Sequence, residues 1–192
     1  MLNLIIHNQS EDQKKAVDVI ASENIRILEE AKAGETCYAD SQGWIDTEEW
    51  AGEENIKRLE EIAKEIRENA DAFVLIGVGG SNNAARSVIE ALKKDDAPEI
   101  IYAGNTLSPY ALNQMLKRLK GKSVYIDCIA KNFETLEPGS SFRILREYME
   151  SEYGKEESAK RTIAVGTTGS SLEKLCEKYG YTFLEFPLNV GG

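Results

Sequence analysis

From Ala72 onward the chain alternates two kinds of segment, and that alternation narrows its possible folds more than any other feature. Five short apolar runs, at 72–76, 99–103, 123–129, 162–165 and 181–186, are separated by helix-like segments over about 82–94, 108–119, 137–152 and 170–179. Antiparallel neighbours can be joined by a tight turn, whereas parallel ones need a longer crossover, usually a helix. The pattern therefore predicts βαβ units and a parallel sheet covered by helices on both faces. Ligands on such sheets sit at the carboxyl ends of the strands, where loops lead into helix N-termini.

Residues 1–70 carry no strong strand signal. Ala16, Val17, Val19, Ile20, Ile27, Leu28 and Ala31 suggest an amphipathic helix whose middle is weakened by the polar stretch Ser22 to Asn24. Turn-rich residues follow at Asp40–Trp44, with a further break near Trp50–Gly52. Then Ile56, Leu59, Ile62, Ala63 and Ile66 recur at helical spacing among charged residues, which predicts a solvent-facing helix with one buried stripe. The expected organisation is a helical N-terminal region, 1–70, packing on a sheet domain, 71–192.

Composition removes several classes of function. The 33 acids and 23 bases leave a net charge of −10, the wrong balance for a surface that coats nucleic acid. A small anion is still compatible, because a pocket can be locally positive on an acidic protein. No apolar run approaches the ~20 residues of a membrane span, and the first residues lack the pattern of a signal peptide. Cys37, Cys128 and Cys176 are an odd number without metal-ligand spacing, which reads as free thiols in a reducing cytoplasm. His7 is the only histidine, so a zinc enzyme and a histidine metal cluster are disfavoured.

The first apolar run ends in Gly77-Val78-Gly79-Gly80-Ser81-Asn82. Glycines let backbone turn sharply and approach a ligand, and the following helix offers free N–H groups and a positive dipole end. Gly79, Gly80 and Ser81 are therefore candidate phosphate ligands, with Ser81 also the expected N-cap; a plain capped turn is the competing reading. Two nucleotide motifs fail. Asn82 stands where a dinucleotide fingerprint needs its third glycine, and the second run ends in Ala103-Gly104-Asn105 without a ribose-binding acid. Gly121-Lys122-Ser123 lacks the first glycine of a P-loop and precedes a strand instead of a helix. The third run leads into Ala130-Lys131-Asn132-Phe133-Glu134-Thr135-Leu136-Glu137-Pro138. Lys131 would set a cation beside the glycine loop, and Asn132 and Thr135 can donate hydrogen bonds. Thr135 also suits an N-cap, with Pro138 in the first turn, where its missing N–H costs little.

The ordered set of segments 73–81, 101–105, 131–138 and 141–146, together with Gly43–Asp46 and Pro187–Gly192, resembles the N-terminal sugar-isomerase (SIS) domain of the glucose-6-phosphate isomerase family, bacterial type. The resemblance implies a five-stranded parallel sheet of flavodoxin-like arrangement and interconversion of glucose 6-phosphate and fructose 6-phosphate. It implies phosphate contacts at Gly79, Gly80, Ser81, Lys131, Asn132 and Thr135, and an active-site role for Glu137. Neither metal nor redox cofactor is implied: a base removes the proton alpha to the opened sugar's carbonyl, and a cation stabilises the enediolate. The implied setting is cytoplasmic, with a small sugar phosphate as partner, no nucleic acid, no membrane, and a full-length parent that is a homodimer. Two departures stand out, Ala130 where the family has serine and Glu134 where threonine is common. The family continues past Gly192 into further catalytic residues, so the chain reads as the N-terminal part of a longer enzyme. The alternative is a stand-alone SIS-type module that senses a sugar phosphate without catalysis.

Overall fold

The computed structural model describes residues 7, 10–35, 39–45, 47–48, 50–131 and 133–190; of the positions singled out above, Cys37, Asp46, Asn132 and the closing glycines lie outside them. The chain divides into two compact units. One takes the chain up to Thr47 with the segment from Leu188, and the other spans Glu48–Pro187.

In the first unit, α1 (Glu11–Lys32) begins at a capping box. Ser10 Oγ accepts the Gln13 amide at 3.2 Å, and Gln13 Oε1 accepts the Ser10 amide at 2.9 Å. Ser22 and Asn24 do not interrupt the helix, because each finds a partner within it. Ser22 Oγ donates to the Val19 carbonyl at 2.8 Å and Asn24 Nδ2 to that of Ile20 at 2.7 Å. Val17, Ile20, Ile27 and Leu28 are exposed. Further on, Gln42 forms an antiparallel bridge with Val190, and the Gly43 amide donates to the Asn189 carbonyl at 2.7 Å. Two distant stretches that carry the family resemblance meet here.

The second unit runs α2 (Glu53–Asn69), β1 (Ala72–Ile76), α3 (Gly80–Leu92), β2 (Glu99–Ala103), α4 (Pro109–Leu119), β3 (Val124–Ile129), α5 (Leu136–Lys160), β4 (Thr162–Gly166), α6 (Ser171–Tyr179) and β5 (Thr182–Glu185). All strands pair in parallel, in the order β2-β1-β3-β4-β5. The parallel sheet expected from the alternation is thus present, with strand limits within a residue or so of the apolar runs.

Successive side chains on a strand point to opposite faces, and the helices divide accordingly. Val74, Ile76, Val124, Ile126, Cys128 and Ala164 pack in the main core with α4 (Leu112, Met115, Leu119), α5 (Phe142, Leu145, Met149) and α6 (Leu172, Cys176). Residues of the other phase meet α2 and α3. The Tyr125 hydroxyl donates to Glu65 at 3.3 Å, that of Tyr102 donates to Glu90 at 3.2 Å, and the Arg86 guanidinium lies 4.9 Å over the Tyr102 ring. The expected buried stripe of α2 is only half realised. Ile62, Ala63 and Ile66 are half-buried, while Ile56 and Leu59 stay 46% and 47% exposed. Polar contacts hold this helix: Arg58 Nη2 donates to the Phe183 carbonyl at 2.9 Å, in addition to the Glu65 bond. Those bonds fix the helix by its polar edge, so its apolar face does not lie flat on the sheet.

α5 runs past its expected end near 152 and breaks at Gly154, whose φ of 73° and ψ of 169° suit glycine alone. Beside the break, the Tyr153 hydroxyl accepts the Val124 amide at 2.9 Å and donates to the Lys122 carbonyl at 2.8 Å. Arg161 sits 4.9 Å over the Tyr125 ring and 4.6 Å over that of Tyr153. This cluster ties the amino end of β3, opposite the strand ends considered next.

Candidate functional site

Strand order decides where a ligand crevice can lie. The chain leaves β1 for β2 on one side, then returns across the sheet to β3 on the other, so β1 and β3 are neighbours whose connections diverge. This is the switch point of a doubly wound sheet, and the crevice opens at its carboxyl end. The loops after Ile76 and Ile129 leave this point side by side, one feeding α3 on one face and the other feeding α5 on the opposite face.

Local chemistry shapes the first loop. The Gly77 amide continues the ladder to the Ala103 carbonyl at 3.0 Å. A methyl group on Gly104 would fall 2.8 Å from the Gly77 nitrogen, so the loops after β1 and β2 touch backbone to backbone. Gly79 takes φ 60°, ψ −128° and is the N-cap of α3. Ser81 is therefore not the cap, as its hydroxyl had suggested. It is the second helical residue, half-buried, and its hydroxyl makes no hydrogen bond within the described chain. The amides of Asn82 and Asn83 go to the Gly79 carbonyl at 3.2 and 2.9 Å, which leaves those of Gly80 and Ser81 without a partner in the helix. Asn82, read in the sequence only as a missing glycine, is buried and donates from Nδ2 to the Gly77 carbonyl at 3.3 Å, pinning the turn.

The second loop offers a similar set. Thr135 is the N-cap of α5 by position, as expected, but its exposed side chain makes no capping bond. The Gly139 amide goes to the Thr135 carbonyl at 3.2 Å, and Pro138 has no N–H, so Leu136 and Glu137 carry the two free amides of this turn. Lys131 and Glu134 are exposed, and Glu137 is half-buried in the first turn. The structure thus sets Gly79, Gly80, Ser81, Lys131, Thr135 and Glu137 on two loops at adjacent strand ends. A negative charge there would meet two helix N-termini, each with two unused amides. The surface hollows lined by Tyr153–Glu157 with Lys160, and by Arg143, Arg146, Glu147, Glu150 and Ser151, contain none of these loop residues.

Thiol chemistry is unfavourable in the sheet domain. Cys128 and Cys176 are buried free thiols. Burial pushes the Cys128 thiol well up and that of Cys176 to about 11, so neither supplies a thiolate near neutral pH. Asp127 of β3 is a different matter. Its Oδ1 is buried without a hydrogen bond, and burial raises its carboxyl from 3.8 to about 7.

The fold and its strand-end loops define the class: a doubly wound α/β domain whose switch point lies between the first and third strands in chain order. The chain belongs to the phosphoglucose isomerase family, whose model matches residues 41–192. A glucose-6-phosphate isomerase from Symbiobacterium thermophilum is 37% identical over 161 residues, covering 78% of this chain and 36% of that protein. One from Clostridium perfringens is 34% identical over 200 residues, with 94% and 44% covered. Among solved structures, a hypothetical protein from Thermus thermophilus superposes with a TM-score of 0.73 at 20% identity, covering 91% of this chain and 42% of that one. A glucose-6-phosphate isomerase from Chlamydia trachomatis gives 0.61 at 20% identity, over 70% and 26% of the two chains. The chain therefore spans well under half the length of these relatives.

Proposed function

We propose that the chain is the N-terminal part of an aldose–ketose isomerase that interconverts glucose 6-phosphate and fructose 6-phosphate, and that it supplies the substrate phosphate site. The observation that carries this reading is the pair of helix N-termini, α3 and α5, converging from opposite faces on the β1/β3 switch point. Gly79, Gly80, Ser81, Lys131, Asn132 and Thr135 bind the phosphate, and Glu137 lies beside the reacting sugar. The isomerisation itself is acid–base. A proton leaves the carbon alpha to the opened sugar's carbonyl, an enediolate is stabilised by positive charge, and the proton returns to the neighbouring carbon. Phosphate binding here holds the reacting carbons in register, which is how binding energy at a remote group lowers the barrier. As part of the same proposal, the parent protein is cytoplasmic and acts as a homodimer.

Titration of the chain with 6-phosphogluconate tests this. Saturable binding is expected, and Lys131→Ala is expected to weaken it by about tenfold or more, as for loss of a hydrogen bond to a charged group. No saturable binding, or equal binding by Lys131→Ala, would refute the assignment.

A further inference from the structure

The loop after β4 reaches the same end of the sheet. Thr167, the first residue beyond β4, is 5% exposed. Its amide and its Oγ1 both donate to the Lys131 carbonyl, at 3.0 and 2.7 Å. Just before, the Ala130 amide donates to the Val165 carbonyl at 2.9 Å, so the β3–β4 ladder runs past the strand ends and finishes on Lys131. A methyl group at Gly166 would meet the Ala130 carbonyl at 3.0 Å; the two segments touch where only glycine fits comfortably. Two residues beyond Lys131, Phe133 holds φ at 61°, the one positive φ on a non-glycine residue among the described residues. Its ring stands edge-on to buried Phe142 at 5.7 Å. A side chain persists in that backbone region only where its surroundings over-determine the conformation.

We infer that Thr167 is a positioning residue of the phosphate site, an assignment that rests on the function proposed above. A carbonyl oxygen is the negative end of its peptide and opposes an anion it faces. Because β3 lies between β1 and β4, the two donors of Thr167 turn the Lys131 carbonyl toward β4, away from the glycine loop that follows β1. Both its negative end and its hydrogen-bonding capacity are taken up there. With Phe133 seated on Phe142, the loop is clamped at its start and its middle before any ligand arrives. The ligand then has less backbone to order on binding. Thr167 itself touches no ligand; it acts through the aim of Lys131 and the start of α5.

Valine matches threonine in shape and keeps the amide bond, so Thr167→Val removes only the hydroxyl bond. Thr167→Ser keeps the hydroxyl and removes a methyl group. With circular dichroism confirming folded protein at low temperature, 6-phosphogluconate and unphosphorylated gluconate are titrated into the wild type, both variants and Lys131→Ala. The expected result is a roughly five- to tenfold loss of 6-phosphogluconate affinity for Thr167→Val, with Thr167→Ser within about twofold of wild type. Gluconate, lacking the phosphate, should not distinguish the four proteins. Wild-type affinity in a folded Thr167→Val sinks the inference and leaves the phosphate site standing. A loss of fivefold or more in the serine variant, measured against wild type, also sinks it, because packing and not the hydroxyl would then matter; this comparison holds even if the valine variant does not fold. A wild type that does not bind, or binds as Lys131→Ala does, sinks the phosphate site and this inference together.

Discussion

Replacing Asp127 by asparagine is expected to stabilise the chain by about 2–4 kcal/mol at pH 8 and to flatten its stability between pH 4 and 7. Asp127 points to the α2/α3 face of the sheet, beside Leu75 and Ile163 in register, and its Oδ1 is buried without a partner. Burial favours the neutral acid, which raises the carboxyl from 3.8 to about 7. As pH climbs from about 4 to about 7, the unfolded chain has lost this proton while the folded chain keeps it. Folding stability must fall across that window and stay low above it. The displacement corresponds to roughly 4 kcal/mol by linkage as an upper bound; Asp127 as a whole is half-buried, and asparagine still places a polar amide there, hence the lower end of the range. Glu99 works in the opposite sense, since its bonds to Lys122 and Arg118 hold its carboxyl below the ordinary value and its contribution fades in acid. The difference between wild type and Asp127→Asn isolates Asp127 from such groups. Denaturant titrations at pH 5 and pH 8 should show the variant's advantage growing with pH. An advantage that is absent at pH 8, or larger at pH 5, would show that the carboxylate is solvated.

Phe142→Ala is expected to cost about 3–5 kcal/mol, the range for deleting a buried aromatic ring. Phe142 is 1% exposed, lies in the main core, and meets Phe133 at 5.7 Å and Tyr181 at 6.2 Å, both edge-on. The cavity would also remove the seat of Phe133, so loop order should decline with stability. Phe142→Leu keeps most of the apolar volume and should recover most of the stability. A denaturation midpoint little changed in Phe142→Ala would mean that α5 does not pack on the sheet as described.

These two residues mark how far the sequence could be read. The strands were legible because buried parallel strands are short apolar runs, and the helices between them because a parallel sheet needs crossovers. The two loops were legible as candidates because a parallel sheet with crossover helices brings its ligands to the carboxyl ends of the strands. Periodicity shows which side of a helix is apolar but not what covers it, which is why the stripe on α2 was expected to be buried. The cap of α3 went to Gly79 and not to Ser81, since a hydroxyl advertises capping while a φ of 60° leaves no mark beyond the glycine itself. Thr167 passed unnoticed because its bond crosses 36 residues to reach Lys131. Nor does one acid within an apolar run, Asp127, announce that it lacks a partner.

The central pairing of β1 with β3 also sets an order of assembly during synthesis. β1 can pair with β2 once α3 has formed, but its other edge waits for Val124–Ile129, about fifty residues beyond Ala72. At ~5–20 residues per second, that edge stands open for several seconds as the chain emerges. Meanwhile Val74 and Ile76, fully buried in the finished sheet, have neither β3 beside them nor α5 above them. The strand that ends in the glycine loop is thus the one most exposed to wrong partners during its own making, and the arrival of β3 closes that risk and sets the two strand-end loops side by side in the same step.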